Sequence, residues 1–222
     1  MSNNNDAQMK KMIIEQLRWD NRISECDIKV GVKNGEVTLI GEVPTYFAKK
    51  VARDDVAKVA NYALLIDKLK VKSPKFIYDQ KLKKNIESNL FWNLLINEND
   101  INVAVKNGIV TLGGTVLFYW QKEKAQENAE IDGVIDVINN IAIVPIRDLA
   151  DEEIAADIVQ ALTRDPLVNE ADIDVKVKDR EVTLTGSIPS WAAFKSATDD
   201  VIYTWGVVGL KNDLKLNLTS KK

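Results

Sequence analysis

The chain has 222 residues, 45% of them hydrophobic and 28% charged, with 30 Lys and Arg against 33 Asp and Glu, which leaves a formal net charge of −3. So even a balance gives no overall basic field for nucleic acid, and a single cysteine excludes a disulfide framework. The absence of histidine removes His-paired Ser or Cys nucleophiles, His-ligated zinc and most general-base schemes together.

Residues 2–6 are polar, and the first apolar run is only Met12-Ile13-Ile14, so no secretory leader is predicted. No stretch approaches the roughly 20 apolar residues needed to span a bilayer. The expectation is a cytoplasmic protein, periplasmic only if a leader has been removed.

Apolar residues at Met9, Ile13 and Leu17 recur at the spacing of one helical face. Alternation through Ile28, Val30 and Val32 then predicts a strand, and Asn34-Gly35 supplies the positive backbone angles of a tight hairpin turn before the Val37-Thr38-Leu39 strand. Thr45, just after Pro44, is a good cap for a helix whose inner face is Ala48, Ala52 and Val56. The proline-marked joint Lys72-Ser73-Pro74-Lys75 follows, and the pattern begins again. Leu82, Ile86 and Leu90 predict a helix, Ile101, Val103 and Val105 a strand, Asn107-Gly108 a turn, Val110-Thr111-Leu112 a strand, and Ala125 and Ala129 a close-packed helix that ends at Gly133. A last strand carries Val137, Ile141 and Ile143, and Val144-Pro145-Ile146-Arg147 is the second joint. The third passage has Ile154, Ile158 and Leu162, then Ile173, Val175 and Val177, then Val182-Thr183-Leu184, a Ser190 cap, Ala193, Ala197 and Val201, Gly206, and Leu210, Leu214 and Leu216. Its turn is Asp179-Arg180, and a positive φ is costly for arginine, so a looser or different hairpin is expected there.

Three αββαβ modules therefore fill the chain, at 6–73, 76–145 and 148–218, each an α+β unit with a small three-stranded mixed sheet and two helices on one face. Modules this small sit near the lower limit for independent folding. Their charges differ, at +3 for residues 1–73, −2 for 74–145 and −4 for 146–222. The polar ends 2–5 and 219–222 are expected to fray.

Chemistry-bearing residues are few. Cys26 has no partner cysteine and no basic cluster, and reads as structural. Gly113-Gly114 lacks the following Lys-Ser/Thr of a phosphate loop, and no cofactor motif is present. Asp27, Asp100 and Asp172 fall at one repeated position, and Asp54-Asp55 is echoed by Asp199-Asp200. These acids suit either side-chain turns and a helix pair with one acid facing water, or a hard cation. Aromatic residues gather in the first turn of the second helix: Tyr46 and Phe47, Tyr119 and Trp120, Trp191 and Phe194. In the first module Lys49, Lys50 and Arg53 lie beside them, a combination that suits either an anionic membrane boundary or contacts between modules.

The module resembles a BON domain, the bacterial osmotically inducible and nodulation domain. The likeness rests on Val105-Lys106-Asn107-Gly108 through Val116, matching V-x-x-G-x-V-T-L-x-G-x-V, and on Gly133-Val134 through Ile141. Leu17-Arg18-Trp19 and Phe118-Tyr119-Trp120-Gln121-Lys122 are similar to compact triple-BON proteins. The first unit departs from the outline, with Asn61-Tyr62 in place of Gly-Val and Asp67 where the others have Asn139 and Asn212. The resemblance implies a non-catalytic module of osmotic and envelope stress that contacts phospholipid surfaces or envelope partners, and in one relative a potassium ion. The expected function is a non-enzymatic, cofactor-free binding protein with no nucleic-acid role. A protein scaffold or homo-oligomer and a cation sensor are the alternatives.

Overall fold

The structure, a computed structural model, describes residues 2–60, 65–72 and 77–216. The first module runs α1 (Ser2–Trp19), β1 (Asp27–Lys33), β2 (Glu36–Val43), α2 (Tyr46–Ala57) and β3 (Leu65–Val71). In the second, α3 (Asp79–Trp92), β4 (Ile101–Lys106), β5 (Ile109–Val116) and α4 (Tyr119–Ala129) precede a last strand split into β6 (Asp136–Asn139) and β7 (Ala142–Ile143). The third repeats α5 (Asp151–Arg164), β8 (Ile173–Lys178), β9 (Glu181–Ile188), α6 (Trp191–Ile202) and β10 (Gly209–Leu216). The αββαβ reading holds in all three. Asn61-Tyr62, most of the first joint and the tail 219–222 lie outside the described residues, and α1 is already helical at Ser2.

Each sheet has its second strand in the centre, antiparallel to the first and parallel to the third: β1-β2-β3, β4-β5-β6 with β7 also on β5, and β8-β9-β10. The centre strand is the one whose Val and Leu are fully buried, Val37 and Leu39, Val110 and Leu112, Val182 and Leu184. Against that face lie Ile13 and Leu17, Leu82, Ile86 and Leu90, or Ile154, Ile158 and Leu162, together with the alanines of the second helix. Alanine at Ala52, Ala125, Ala129 and Ala197 is buried and lets the helix approach the strands closely. Thr45 and Ser190 accept hydrogen bonds from the Ala48 and Ala193 amides at 3.0 and 3.1 Å. In α4 the side chain of Gln121 replaces the cap, its Oε1 accepting from the Leu117 and Phe118 amides.

One tie, repeated in every module, joins elements that are far apart in sequence. Asp6 at the start of α1 accepts the Asn34 and Gly35 amides at 2.7 and 3.0 Å; Asp79 holds Asn107 and Gly108 at 2.7 and 2.9 Å; Asp151 holds Asp179 and Arg180 at 2.8 and 2.9 Å. A carboxylate that takes two amides in this way clamps the hairpin turn to the helix. The expectation of a different third hairpin is corrected by the backbone itself. Asp179 and Arg180 have φ of 53° and 65°, against 53° and 79° at Asn34-Gly35. The Asp151 clamp and an ion pair from Arg180 to Asp148 hold the arginine in the left-handed region despite its Cβ.

The glycine within the central strand has its own reason. At Gly41 and Gly186 a Cβ would stand 2.1 Å from the carbonyl oxygens of Asp27 and Asp172, so no side chain fits where the first strand crosses over it.

By its contacts the chain divides into two compact units, residues 1–113 with 125–140 and residues 114–124 with 141–222. The middle module contributes to both.

Candidate functional site

The aromatic helix starts are largely engaged within their own units. Tyr46 is buried, while Phe47 beside it is half exposed. Tyr119 is partly buried against the core of the third module, and its hydroxyl is pushed up to about 12 by that burial, with Glu123 adding to the effect. Phe118 stacks on Trp120 at 5.9 Å and meets Trp205 edge-on at 4.6 Å, and Arg147 lies 4.9 Å over the Trp205 ring. Trp191 stacks on Phe194 at 4.9 Å, and both are half-buried.

The basic residues of α2 are likewise engaged. Lys49 and Arg53 face Asp67 at 3.7 and 3.8 Å, and Lys50 pairs with Glu130 at 2.9 Å, a contact from the first module to the second inside one unit. Asp67 is the residue that stands in place of asparagine. The same crossing is made by Asn139 to Gln126 in the second module and by Asn212 to Thr198 in the third, so where Asp67 replaces asparagine, Arg53 stands in place of Gln126 and Thr198, while Lys49 has its counterpart in Lys122.

The repeated acids separate into two kinds. Asp100 and Asp172 accept from Asn97 and Asn169 at 2.8 Å and close the turn before their strands, as a side-chain turn requires. The helix doublets depart from expectation: Asp55 is 0% exposed and Asp54 half-buried, so neither is a plain water-facing acid. Burial raises the Asp54 carboxyl above its ordinary value. Asp55 accepts from Gln16 and Lys58 and neighbours Asp20, which the Arg22 guanidinium holds well below the usual carboxylate range. At the equivalent places the second module has Asn93 and Asn128, and the third has Asp165 and Asp200. Among the described residues no group of three or more Cys, Asp and Glu could hold a metal ion.

What the sequence reading passed over is the tip where the first helix of the second module ends. Phe91, Trp92, Leu94 and Leu95 are all exposed, Trp92 at 76% and Leu94 at 98%, around the buried Leu90 and Ile96. Phe91 and Trp92 meet edge to face at 5.2 Å. The equivalent corner of the first module presents Trp19, 79% exposed, and that of the third Arg164 and Leu167. The signal was present in the run Phe91-Trp92-Asn93-Leu94-Leu95, because the core spacing of α3 uses only Leu90. No helix among the described residues is long and apolar enough to cross a membrane.

Comparison with known proteins gives a match to the BON domain model three times, over residues 5–73, 78–145 and 150–217. The osmotically-inducible protein Y of Escherichia coli (strain K12) is 26% identical over 147 residues, which are 63% of this chain and 73% of that protein. Among solved structures, CdsD, a structural protein of the type III secretion system of Chlamydia trachomatis, aligns with 95% of this chain and 92% of its own at 15% identity, with a TM-score of 0.27. The C-terminal domain of CdsD aligns with 94% of this chain and 96% of its own at 16% identity and the same TM-score.

Proposed function

This chain belongs to the BON domain family, with three such domains in tandem, and from that premise we propose that it is a non-enzymatic osmotic-stress protein that docks reversibly on phospholipid surfaces. The observation that carries the reading is the exposed apolar tip of Phe91, Trp92, Leu94 and Leu95. Four large apolar side chains within five residues at one loop are expensive to leave in water, and an aromatic pair beside leucines suits the depth of the headgroup boundary. Burying a leucine or tryptophan is worth about 2 kcal/mol each, which supports transient association and not permanent anchoring. The aromatic helix starts are the weaker candidates for this contact. Their rings meet one another and Trp205, and the neighbouring cations face Asp67 and Glu130.

Vesicle sedimentation tests the proposal, with and without anionic lipid. Trp92→Asp with Leu94→Asp should reduce pelleting at least tenfold, whereas Phe47→Ser should change it less than twofold. Equal pelleting of the tip variant and the parent would overturn the reading. If the same substitutions abolish self-association seen by light scattering and leave vesicles unaffected, the tip is a protein contact and the scaffold alternative takes its place.

A further inference from the structure

The first module carries a groove whose lining residues its two copies do not repeat. Between α1 and the edge strand β1 lies an open groove of about 400 Å³, lined by Ile14, Leu17, Ile23, Cys26, Ile28 and Val30. Its volume is at the lower end of the range of small-molecule sites, enough for one hydrocarbon chain and small for two. Leu17, Ile23 and Val30 form an almost fully buried floor, while Ile14, Cys26 and Ile28 remain partly open. The rim is basic. Lys10 and Arg18 border it from α1 and Lys29 contributes from β1, against the single acid Asp27. Among the described residues none of these three cations has an acidic partner within ion-pair distance. This contrasts with Lys49, Lys50 and Arg53, each of which faces a carboxylate.

Comparison of the copies sharpens the point. At the places of Lys10, Ile14, Arg18, Cys26 and Lys29 the second module has Lys83, Glu87, Phe91, Asn99 and Asn102, and there Lys83 pairs with Glu87 at 3.6 Å. The third has Ala155, Val159, Thr163, Ala171 and Asp174. Only the first combines an apolar lining with an unpaired basic rim. Structural necessity does not explain it, because the same helix and strand pack in all three modules without it.

We propose that this groove binds a medium-chain fatty acid, its hydrocarbon lying along Ile14, Cys26 and Ile28 and its carboxylate held by one cation of the rim, Lys10 at one end or Arg18 at the other. Lys10 and Arg18 are eight positions apart on one helix, about 12 Å along its axis, so their charges border both ends of the groove. Their hydrocarbon stems extend the apolar wall while the charged heads stay in water. The site goes beyond the membrane docking proposed above and lies in a different module.

Cys26 gives a direct readout, since it is the chain's only cysteine and lines the groove. Its alkylation by a maleimide should slow at least fivefold with laurate below its micelle concentration. Half-protection should require at least tenfold more laurate for Lys10→Glu with Arg18→Glu. Both side chains are exposed, so the variant keeps its core. Ile14→Glu, which installs the residue of the second module, should remove the protection, and the control Lys81→Glu with Lys84→Glu should leave it unchanged. The proposal is overturned if laurate leaves the rate unaltered, if dodecanol protects as well as laurate, or if an acidic peptide protects and laurate does not. The rim variant should still sediment with vesicles as the parent does. Loss of both properties together would assign them to one surface and end the groove as a separate site.

Discussion

The first and third modules place two aspartates at the same corner and surround them differently. In the first, Asp20 and Asp55 are both buried, and Arg22, Lys58 and Gln16 surround them. In the third, Asp165 and Asp200 occupy those places, but Leu167 stands where Arg22 was and Tyr203 where Lys58 was. The Oδ2 atoms of Asp165 and Asp200, like that of Asp55, are buried without a hydrogen-bond partner, although Asp165 accepts the Leu167 amide at 2.8 Å through its other oxygen. Burial, with Asp165 and Asp199 nearby, raises the Asp200 carboxyl, and only Arg164 opposes this. In the first module cations balance two neighbouring acids, whereas in the third the raised Asp200 carboxyl is opposed by Arg164 alone. The second module removes the question with Asn93 and Asn128. The same backbone thus carries two acids with cations, two acids with little compensation, or two amides at this corner.

The sharpest way to break the comparison is to give the first module the residue of the third. Arg22→Leu should destabilise it by about 3 kcal/mol, because a buried carboxylate is left without its partner. Amide exchange in β1 and β2 reads the loss, and adding Asp20→Asn with Asp55→Asn, the pair of the second module, should recover most of it. Next in size is the hairpin clamp. Asp151→Ala should cost about 2 kcal/mol through two freed amides, seen as faster exchange at Asp179 and Arg180. Asp79→Ala should cost about 1 kcal/mol, since Asn107-Gly108 prefers its turn unaided. Arg180→Gly should stabilise the third module by about 0.5 kcal/mol by relieving a left-handed arginine, less the ion pair to Asp148.

A pH dependence is expected as well, and the two modules should respond with opposite sign. Asp20 is held low in the folded state, so its contribution to stability is present above the ordinary carboxylate range and is lost as pH falls through that range toward the depressed folded value. Asp200 is held high. Its native state binds a proton that the unfolded chain has already released, so the third module loses stability as pH rises from the ordinary value of 3.8 to the raised one, and stays level above it. Exchange measured module by module between pH 3 and 7 checks both slopes. Asp200→Asn should flatten that of the third, and parallel slopes in the two modules would contradict the account.

Periodicity made the helices, strands and two of the three hairpin turns legible in the sequence, because Ile13, Leu17, Val37 and Leu39 carry their burial in their spacing. The third turn misled because Asp151 and Asp148 are remote from Arg180 in sequence, and their compensation cannot be seen from the dipeptide. The aromatic helix starts were visible as residues, but their surroundings were not: the partner of Phe118 is Trp205 and that of Lys50 is Glu130, each some 80 or more residues away. The exposed tip is not marked by the core spacing, because Phe91, Trp92, Leu94 and Leu95 are the apolar residues that do not fit it.

The aspartate clamp also sets a length. From the clamping residue to the two amides it holds is 28 and 29 positions in every module, so the first helix, the corner and the first strand can neither gain nor lose a residue without releasing the turn. No such gauge governs the second half. The residue that pairs with the central strand lies 28 positions onward in the first and third modules, as from Val37 to Leu65 and from Glu181 to Gly209, but 27 in the second, as from Ile109 to Asp136. Insertions and deletions in this lineage should therefore collect after the central strand, where the chain is measured by packing alone.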